Sequence, residues 1–164
     1  MKLYLAFFLM TITALLNGCG TTPEFDTKDV SQQLTPNRVS TSPKQAIGQR
    51  VIWGGLILSV KNLADATQLE ILAYPLSSRY RPDPSAEPIG RFLLKKQGYL
   101  ETAEYSEGRY ISVQGRISGT KRGQVGESEY LYPVVEAEKL FLWSKDFEAE
   151  EPKVHFGIGV IIGR

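Results

Sequence analysis

The fold is decided by one stretch near the middle of the chain, Tyr110-Ile111-Ser112-Val113-Gln114-Gly115-Arg116-Ile117. From Ile111 to Ile117 every second position is apolar, and the positions between them are polar. Because successive side chains of a β-strand point to opposite faces, this period of two predicts a strand over residues 110–117. One face of that strand is expected to lie in a core.

Four further strands are predicted on either side of this stretch. A β-branched apolar run predicts a buried strand over residues 51–60, with a bulge or sharp bend at Gly54-Gly55. Residues 67–74 alternate between apolar and polar side chains and predict a second strand, which pairs with the first. Residues 90–94 predict a short third strand, and residues 130–143 predict a long last one.

The segments between these strands carry turn and loop signals. Residues 79–88 contain three prolines among charged residues and predict a long loop. Residues 95–107 predict a connector with room for one helical turn, and the glycine-rich residues 119–126 predict a flexible loop. With about five antiparallel strands and no long helix, the sequence predicts an all-β fold, a small OB-like coiled β-barrel. A two-sheet sandwich stays open, because a strand count does not show whether the sheet closes.

The first residues have the layout of an export signal. Met1 and Lys2 are followed by residues 3–16, which contain no charged side chain. This run is shorter than the roughly 20 apolar residues of a membrane-spanning helix and fits the roughly 7 to 15 of a signal peptide. The next residues, Leu16-Asn17-Gly18-Cys19, resemble the lipobox of bacterial lipoproteins, in which the chain is cut before an acylated cysteine. Residues 1–18 are therefore predicted to be a lipoprotein signal peptide.

Cys19 is the predicted lipidation site. It is the only cysteine of the chain, which excludes an intrachain disulfide and a thiolate metal cluster. Several acyl chains on one residue give a much firmer attachment than a single chain. Residues 19–46 are rich in polar residues and proline and predict a lipidated flexible tether, with a strap packed on the domain as the alternative. Residues 47–164 are predicted to form the β-barrel domain with a C-terminal tail strand.

The charge balance disfavours nucleic acid as a partner. The full chain has 19 Lys and Arg against 18 Asp and Glu, and removal of Lys2 with the signal peptide leaves 18 of each. A neutral chain has no general attraction for the phosphate backbone or for anionic lipid. We therefore expect no nucleic-acid partner.

Residue types that carry catalysis or bind metals are sparse. His155 is the only histidine, so any histidine-based triad would have to include it. The acidic residues 148–151 are typical of a solvated linker, and the glycine-rich residues 157–163 have the wrong spacing for a dinucleotide loop. The loop at residues 119–126 lacks the phosphate-loop pattern. The sequence predicts a protein that is not an enzyme and has no cofactor and no metal.

A few aromatic and cationic residues suggest a binding surface. Trp53 and Tyr99, with Arg91, are candidates for a ligand surface that takes a glycan or a partner peptide, as one face of OB-like barrels does. Packing in the core is the alternative for the aromatic rings. The binding hypothesis requires Trp53 or Tyr99 to lie in a groove that faces solvent.

Several segments occur together in an order and spacing typical of one family. They are the lipobox, Arg50-Val51-Ile52-Trp53-Gly54-Gly55, residues 67–76, Gly90-Arg91-Phe92, residues 108–115 and residues 126–135. On these segments the chain resembles the starvation-inducible (Slp-type) outer-membrane lipoproteins of Gram-negative bacteria. The resemblance implies attachment to the outer membrane and a link to stationary-phase or stress physiology, and it implies no catalytic site. Gly20 stands where an aspartate usually retains lipoproteins at the inner membrane, which agrees with the outer membrane.

The function predicted from these observations is that of a non-enzymatic outer-membrane lipoprotein on the periplasmic side. Its partners would be outer-membrane lipid, through acylated Cys19, and another envelope protein or a glycan. The alternative is a ligand-binding OB-like module for an oligosaccharide or a small hydrophobic molecule.

Overall fold

The structure is a computed structural model that describes residues 22–147. Cys19, the signal peptide, His155 and the predicted C-terminal tail strand lie outside the described residues. In chain order the elements are helix α1 (Pro36–Thr41), a 3-10 turn (Pro43–Gln45) and strands β1 (Arg50–Asn62), β2 (Ala66–Ala73), β3 (Gly90–Gln97), β4 (Tyr110–Val125) and β5 (Ser128–Leu142). Within this part of the chain, no helix is both long and apolar enough to span a membrane.

The five strands close into a barrel in the order β1-β2-β3-β5-β4, with β4 returning to β1. This is the strand order of an OB-like fold, so the predicted fold class is confirmed and the sandwich is excluded. Four of the pairings are antiparallel, whereas β3 and β5 run parallel through residues such as Leu94 and Val135. The prediction of antiparallel strands throughout is wrong at this pair, because a closed ring with an odd number of strands cannot alternate direction all the way round.

The β4–β5 hairpin corrects the prediction of a flexible loop over residues 119–126. β4 runs on as a strand to Val125, and the turn is made at Gly126, whose φ is +61°. These residues are polar because this half of the hairpin extends beyond the core, so the alternation of apolar side chains ends before the backbone pairing does. In the same way β3 continues to Gln97, into the stretch predicted as a connector.

The bulge in β1 lies elsewhere than predicted. The register of β1 against β2 shifts between Ile57 and Ser59, while Gly54 and Gly55 stay in regular register with β4. The two glycines serve close packing instead: a Cβ on Gly55 would stand 1.9 Å from the carbonyl oxygen of Leu72. The glycine signal in the sequence marks a close approach of two backbones and not a bulge.

The barrel interior is filled by the inward side chains of all five strands. The largest of the fully buried side chains from the strands are Phe92, Ile57, Leu69, Ile71, Leu94, Ile111 and Ile117. Leu69, Ile71 and Ala73 share the buried face of β2. In β4 both faces are buried from Tyr110 to Gly115, so something also covers the outer face there.

Over Gln114, that cover is the segment of residues 22–49, here named the strap. Val30 bridges to the start of β1, where Ser31 N donates to Arg50 O at 2.8 Å. In α1, Thr35 caps the N-terminus through its hydroxyl, and Val39 is completely buried against the barrel. The prediction of a flexible tether is wrong for residues 22–46, because apolar side chains such as Val39 and Ala46 join the core. The described part of the segment is the packed strap that the sequence left as the alternative.

Candidate functional site

A groove of about 510 Å³ lies between the strap, β1 and the β2–β3 loop (residues 74–89). We name it the strap groove. Its aliphatic lining side chains, all half-buried, are Val30, Leu34, Ile52, Leu76 and Ile89. Residues with hydroxyl groups also line it, namely Thr27, Ser31, Thr35, Ser77, Ser78, Tyr74 and Tyr80, and the rest of the lining is Gln32, Trp53 and Pro75. Among residues 22–147, no charged side chain lines this groove, which gives it the size and polarity of a site for a neutral ligand.

Trp53 borders the strap groove but belongs mainly to the core. It is 4% exposed, and its ring packs edge-to-face on Phe92 with 5.2 Å between ring centroids. Its indole Nε1 donates to the backbone oxygen of Leu34 at 2.8 Å, which ties the strap to β1. Trp53 therefore forms part of the wall of the groove, while its hydrogen-bonding group is already used.

Tyr99 and Arg91 lie away from the strap groove and from each other. Tyr99 is 71% exposed just beyond the end of β3, beside the β1–β2 turn, where Gly98 N donates to Asp65 O. Arg91 lies at the beginning of β3, about 20 Å along the strand from its far end. Of the three residues proposed from the sequence, only Trp53 lines the groove. Tyr99 and Arg91 are not brought to the same site.

Arg91 takes part in a polar network across the outer face of β2 and β3. Its guanidinium donates to Glu70 Oε1 at 2.9 Å, and the Tyr132 hydroxyl lies 3.1 Å from the same carboxylate. The ring of Tyr132 lies over Gly123, where the lack of a side chain leaves room for it. The pKa of the Tyr132 phenol is raised, mainly by burial and next by the negative charge of Glu70. In OB-like barrels this face is a common ligand surface. Here these side chains bond to one another across it.

Removal of the Tyr132 hydroxyl tests this network. Because Tyr132 is 5% exposed and its hydroxyl lies 3.1 Å from both Glu70 Oε1 and Gln124 O, Tyr132→Phe should lower the free energy of unfolding by about 1–2 kcal/mol. Urea unfolding followed by circular dichroism measures the loss. The matched control is Tyr99→Phe, which removes an exposed hydroxyl and should leave the midpoint unchanged. Equal midpoints for both variants would contradict the network.

Arg50 connects the strap to the C-terminal part of β5. Its guanidinium donates to Asp26 at 2.9 Å and to Glu138 at 2.7 Å. These bonds raise the pKa of Arg50. The pKa of Asp26 is lowered, mostly by the hydrogen bond from Arg50 and next by the hydrogen bond from the Lys28 amide. The backbone of Asp26 also exchanges hydrogen bonds with the buried Gln114 side chain. On the outer face of β4, the polar side chain of Gln114 is thus buried because the strap supplies its hydrogen-bond partners.

The Asp26–Arg50 pair predicts an effect of acid on the strap. A carboxyl whose pKa is lower in the folded than in the unfolded protein contributes stability that is present above about pH 4 and is lost as the pH falls through the folded pKa. An NMR titration of the Asp26 carboxyl carbon should therefore give a midpoint below the ordinary range. Arg50→Gln should move the midpoint back up, and Arg38→Gln, which alters a strap residue without contact to Asp26, should not. An ordinary midpoint in the unchanged protein would rule out the pair in solution.

An aromatic cluster that sequence analysis missed, with Tyr110, Trp143 and Phe147, packs on the outer face of β4 beside the β2–β3 loop. The guanidinium carbon of Arg81 stands 3.8 Å from the ring centroid of Phe147 and 5.6 Å from that of Trp143. Trp143 Nε1 donates to the hydroxyl of Ser112 on β4 at 2.9 Å. Like the strap, this cluster joins segments far apart in sequence, which no local pattern indicates.

Over the described range 22–147, no group of three or more His, Cys, Asp or Glu side chains is placed to hold a metal ion.

Comparison with known proteins identifies the family. The model of the outer membrane lipoprotein Slp family matches residues 16–159. The chain belongs to this family. A protein of Haemophilus influenzae is 30% identical over 145 residues, which cover 88% of this chain and 79% of that protein. The outer membrane protein Slp of Escherichia coli is 26% identical over 139 residues, which cover 82% of this chain and 72% of that protein.

Membership confirms the resemblance seen in the sequence. As a member of the Slp family, the chain is an outer-membrane lipoprotein. Among solved structures, a small single-stranded DNA-binding protein from Streptomyces coelicolor is similar with a TM-score of 0.35 and 11% identity, over 58% of this chain and 94% of that chain. A likeness at this level carries no argument about function.

Proposed function

We propose that this Slp-family chain is a non-enzymatic lipoprotein, anchored through acylated Cys19 on the periplasmic side of the outer membrane. Its barrel would support the envelope of stationary-phase or stressed cells by binding another envelope component. The strap groove is the observation that carries this proposal. It offers a recess of about 510 Å³ whose lining side chains have no charge, which suits binding and supplies no paired acid and base.

The perturbed titratable groups support a structural interpretation of the polar residues. Clearly shifted pKa values occur at Asp26, Arg50, Asp83 and Tyr132. In each, the shift follows from burial or from hydrogen bonds within the fold, such as those that Ser85 makes to Asp83. None of the four lines the strap groove. Perturbed groups that meet in a cleft would indicate catalysis, and these do not meet there.

The envelope role is tested with the groove altered and the anchor kept. In a deletion strain entering stationary phase, we expect increased permeability of the outer membrane to a hydrophobic dye. The unchanged gene should restore the barrier. The control variant Leu63→Glu, which alters an exposed leucine away from the groove, should restore it too. Leu76→Glu places a carboxylate in the groove and should not restore it. A deletion strain with an unchanged barrier and no envelope protein cross-linked to the barrel would overturn the proposal.

The anchor gives a separate prediction. Cys19→Ser, with residues 1–18 replaced by a signal peptide that is cleaved without lipidation, removes the only thiol that can be acylated, so the protein should move from the outer-membrane fraction to the soluble periplasmic fraction almost completely. Fractionation and intact-mass measurement check this, with the acyl mass present only in the unchanged protein. Protease added to intact cells should leave the lipidated protein uncut if it faces the periplasm. Retention of the Cys19→Ser protein in the membrane would show that another element anchors it.

A ligand-binding module is the second candidate function, and the same groove favours it. Its lining mixes aliphatic side chains with hydroxyls, as sites for small, mostly apolar ligands do. A nucleic-acid ligand is not proposed, because phosphate contacts need cationic side chains and the groove lining has none among the described residues.

A further inference from the structure

We propose that the strap groove holds one aliphatic acyl chain, carried by a neutral head group. This inference rests on the proposed function, because it names the class of ligand that the same groove would bind. The aliphatic side chains of the groove are only half-buried, so in the empty protein they leave apolar surface in contact with water. Covering that surface with methylene groups is favourable without any need for direction or charge.

The size of the groove fits a single chain. Its volume of about 510 Å³ equals that of roughly 17 water molecules at about 30 Å³ each, and a methylene group is similar in size to a water molecule. One acyl chain of the length found in membrane lipids therefore matches the volume of the groove. A complete phospholipid would also bring a charged phosphate to a wall that offers it no cation.

A glycan fits the same lining less well. Sugars are held by open aromatic faces together with planar polar groups that bond two hydroxyls at once. In the strap groove the ring of Trp53 packs on Phe92, and the indole N–H is bonded to Leu34. The rings of Tyr80 and Tyr74 pack on Phe25 and Tyr110. The planar polar side chain available in the lining is Gln32, with no carboxylate or guanidinium beside it among the described residues. The observations therefore favour the acyl chain.

Two sources can supply such a chain. One is a neutral lipid taken from the membrane on which the protein is anchored. The other is the protein's own modification, because Thr27 at the edge of the groove is eight residues after Cys19, a span of at most about 28 Å of extended chain. Both sources present the same chemistry to the groove, and the experiment separates them.

The test uses residues 19–164 with Cys19→Ser, so that no acyl chain is attached. It is titrated with monoacylglycerols that differ in chain length by two methylene groups, below their micelle concentrations. A methylene group that becomes fully buried should lower Kd about fourfold. Because the groove is open on one side and buries each methylene only partly, we expect Kd to fall at least fourfold for every two methylene groups added. Monoacylglycerols with a brominated chain should quench Trp53, and Trp53→Phe should lose most of that quenching. Absence of binding, or a Kd independent of chain length, would overturn the proposal.

Two variants locate the site. Leu76→Glu should weaken binding at least tenfold, whereas the matched Leu63→Glu should not change it. Because Leu76→Glu could disturb the β2–β3 loop, Ser78→Trp provides a second variant, which fills the groove from an exposed position without adding charge. It should also weaken binding, with an unchanged unfolding midpoint. Equal affinity for the unchanged groove and for both groove variants would place any lipid binding elsewhere and overturn the proposal.

The lipidated protein separates the two sources. If its own acyl chain fills the groove, the lipidated protein should bind added monoacylglycerol far more weakly than the Cys19→Ser protein. Equal binding by the two forms supports a lipid from the membrane. These outcomes are independent of the envelope test: if monoacylglycerol does not bind but Leu76→Glu still impairs the barrier, the acyl-chain inference fails and the proposed function stands.

Discussion

Gly55→Ala is expected to lower the free energy of unfolding by about 3 kcal/mol or more and the melting temperature by about 10 °C or more. Gly55 lies where β1 pairs with β2 on one side and with β4 on the other, opposite Ala73 and Ile111. A methyl group there would stand 1.9 Å from the backbone oxygen of Leu72. Since the obstacle is backbone held in a closed barrel, no change of side-chain rotamer relieves it.

The control for this prediction is another glycine of the same sheet. Gly119 in β4 has no atom within 4 Å of the position that a Cβ would take, and its φ is outside the left-handed region. Gly119→Ala should leave stability unchanged or raise it by about 0.5–1 kcal/mol, because alanine loses less backbone entropy on folding. Thermal and urea unfolding of both variants measure the difference. Similar midpoints would contradict the close approach of β1 and β2.

Trp53→Ala should lower the free energy of unfolding by about 3–5 kcal/mol. The substitution leaves a cavity beside Phe92 and removes the donor to the Leu34 carbonyl, so both the core and the attachment of the strap lose contacts. Urea unfolding measures the loss of stability. Limited digestion with trypsin measures the strap, which should be cut at Lys28, Arg38 or Lys44 much faster than in the unchanged protein.

Two further variants separate the roles of the indole. Trp53→Phe keeps most of the bulk and loses the N–H, so it should cost only about 1 kcal/mol while still speeding cleavage of the strap. Tyr99→Ala truncates a ring that is 71% exposed and should change stability by less than about 0.5 kcal/mol. If Trp53→Ala were as mild as Tyr99→Ala, Trp53 would not be the core residue described here.

The strap matters for the proposed function because its residues line the candidate binding groove. The outer face of β2 and β3 is occupied by the bonds among Arg91, Glu70 and Tyr132. The strap instead forms one wall of the groove beside β1. A ligand of this protein is therefore expected next to the segment that leads to the membrane anchor, and not on the face that serves many OB-like barrels.

Much of this candidate site could not be predicted from sequence. Trp53 is both a candidate from the sequence and a lining residue of the strap groove, because a large aromatic side chain within a strand can be picked out from the sequence alone. Leu76, Tyr80 and Leu34 lie in segments without a period, where no local pattern distinguishes a groove wall from an ordinary loop. Tyr99 and Arg91 were grouped with Trp53 by residue type, and only the fold shows how far apart they lie.

The sequence by itself determined the number of strands, the all-β class and the family, because the alternation of side chains and the order of motifs are written along the chain. Only the tertiary structure decided that β3 and β5 are parallel, that residues 22–46 pack as a strap and that the polar face of β4 is buried. An alternating pattern records which side chains share a face, but not what covers that face. Ser112 and Gln114 look like solvent-facing residues until Trp143 and Asp26, distant in sequence, supply their hydrogen bonds.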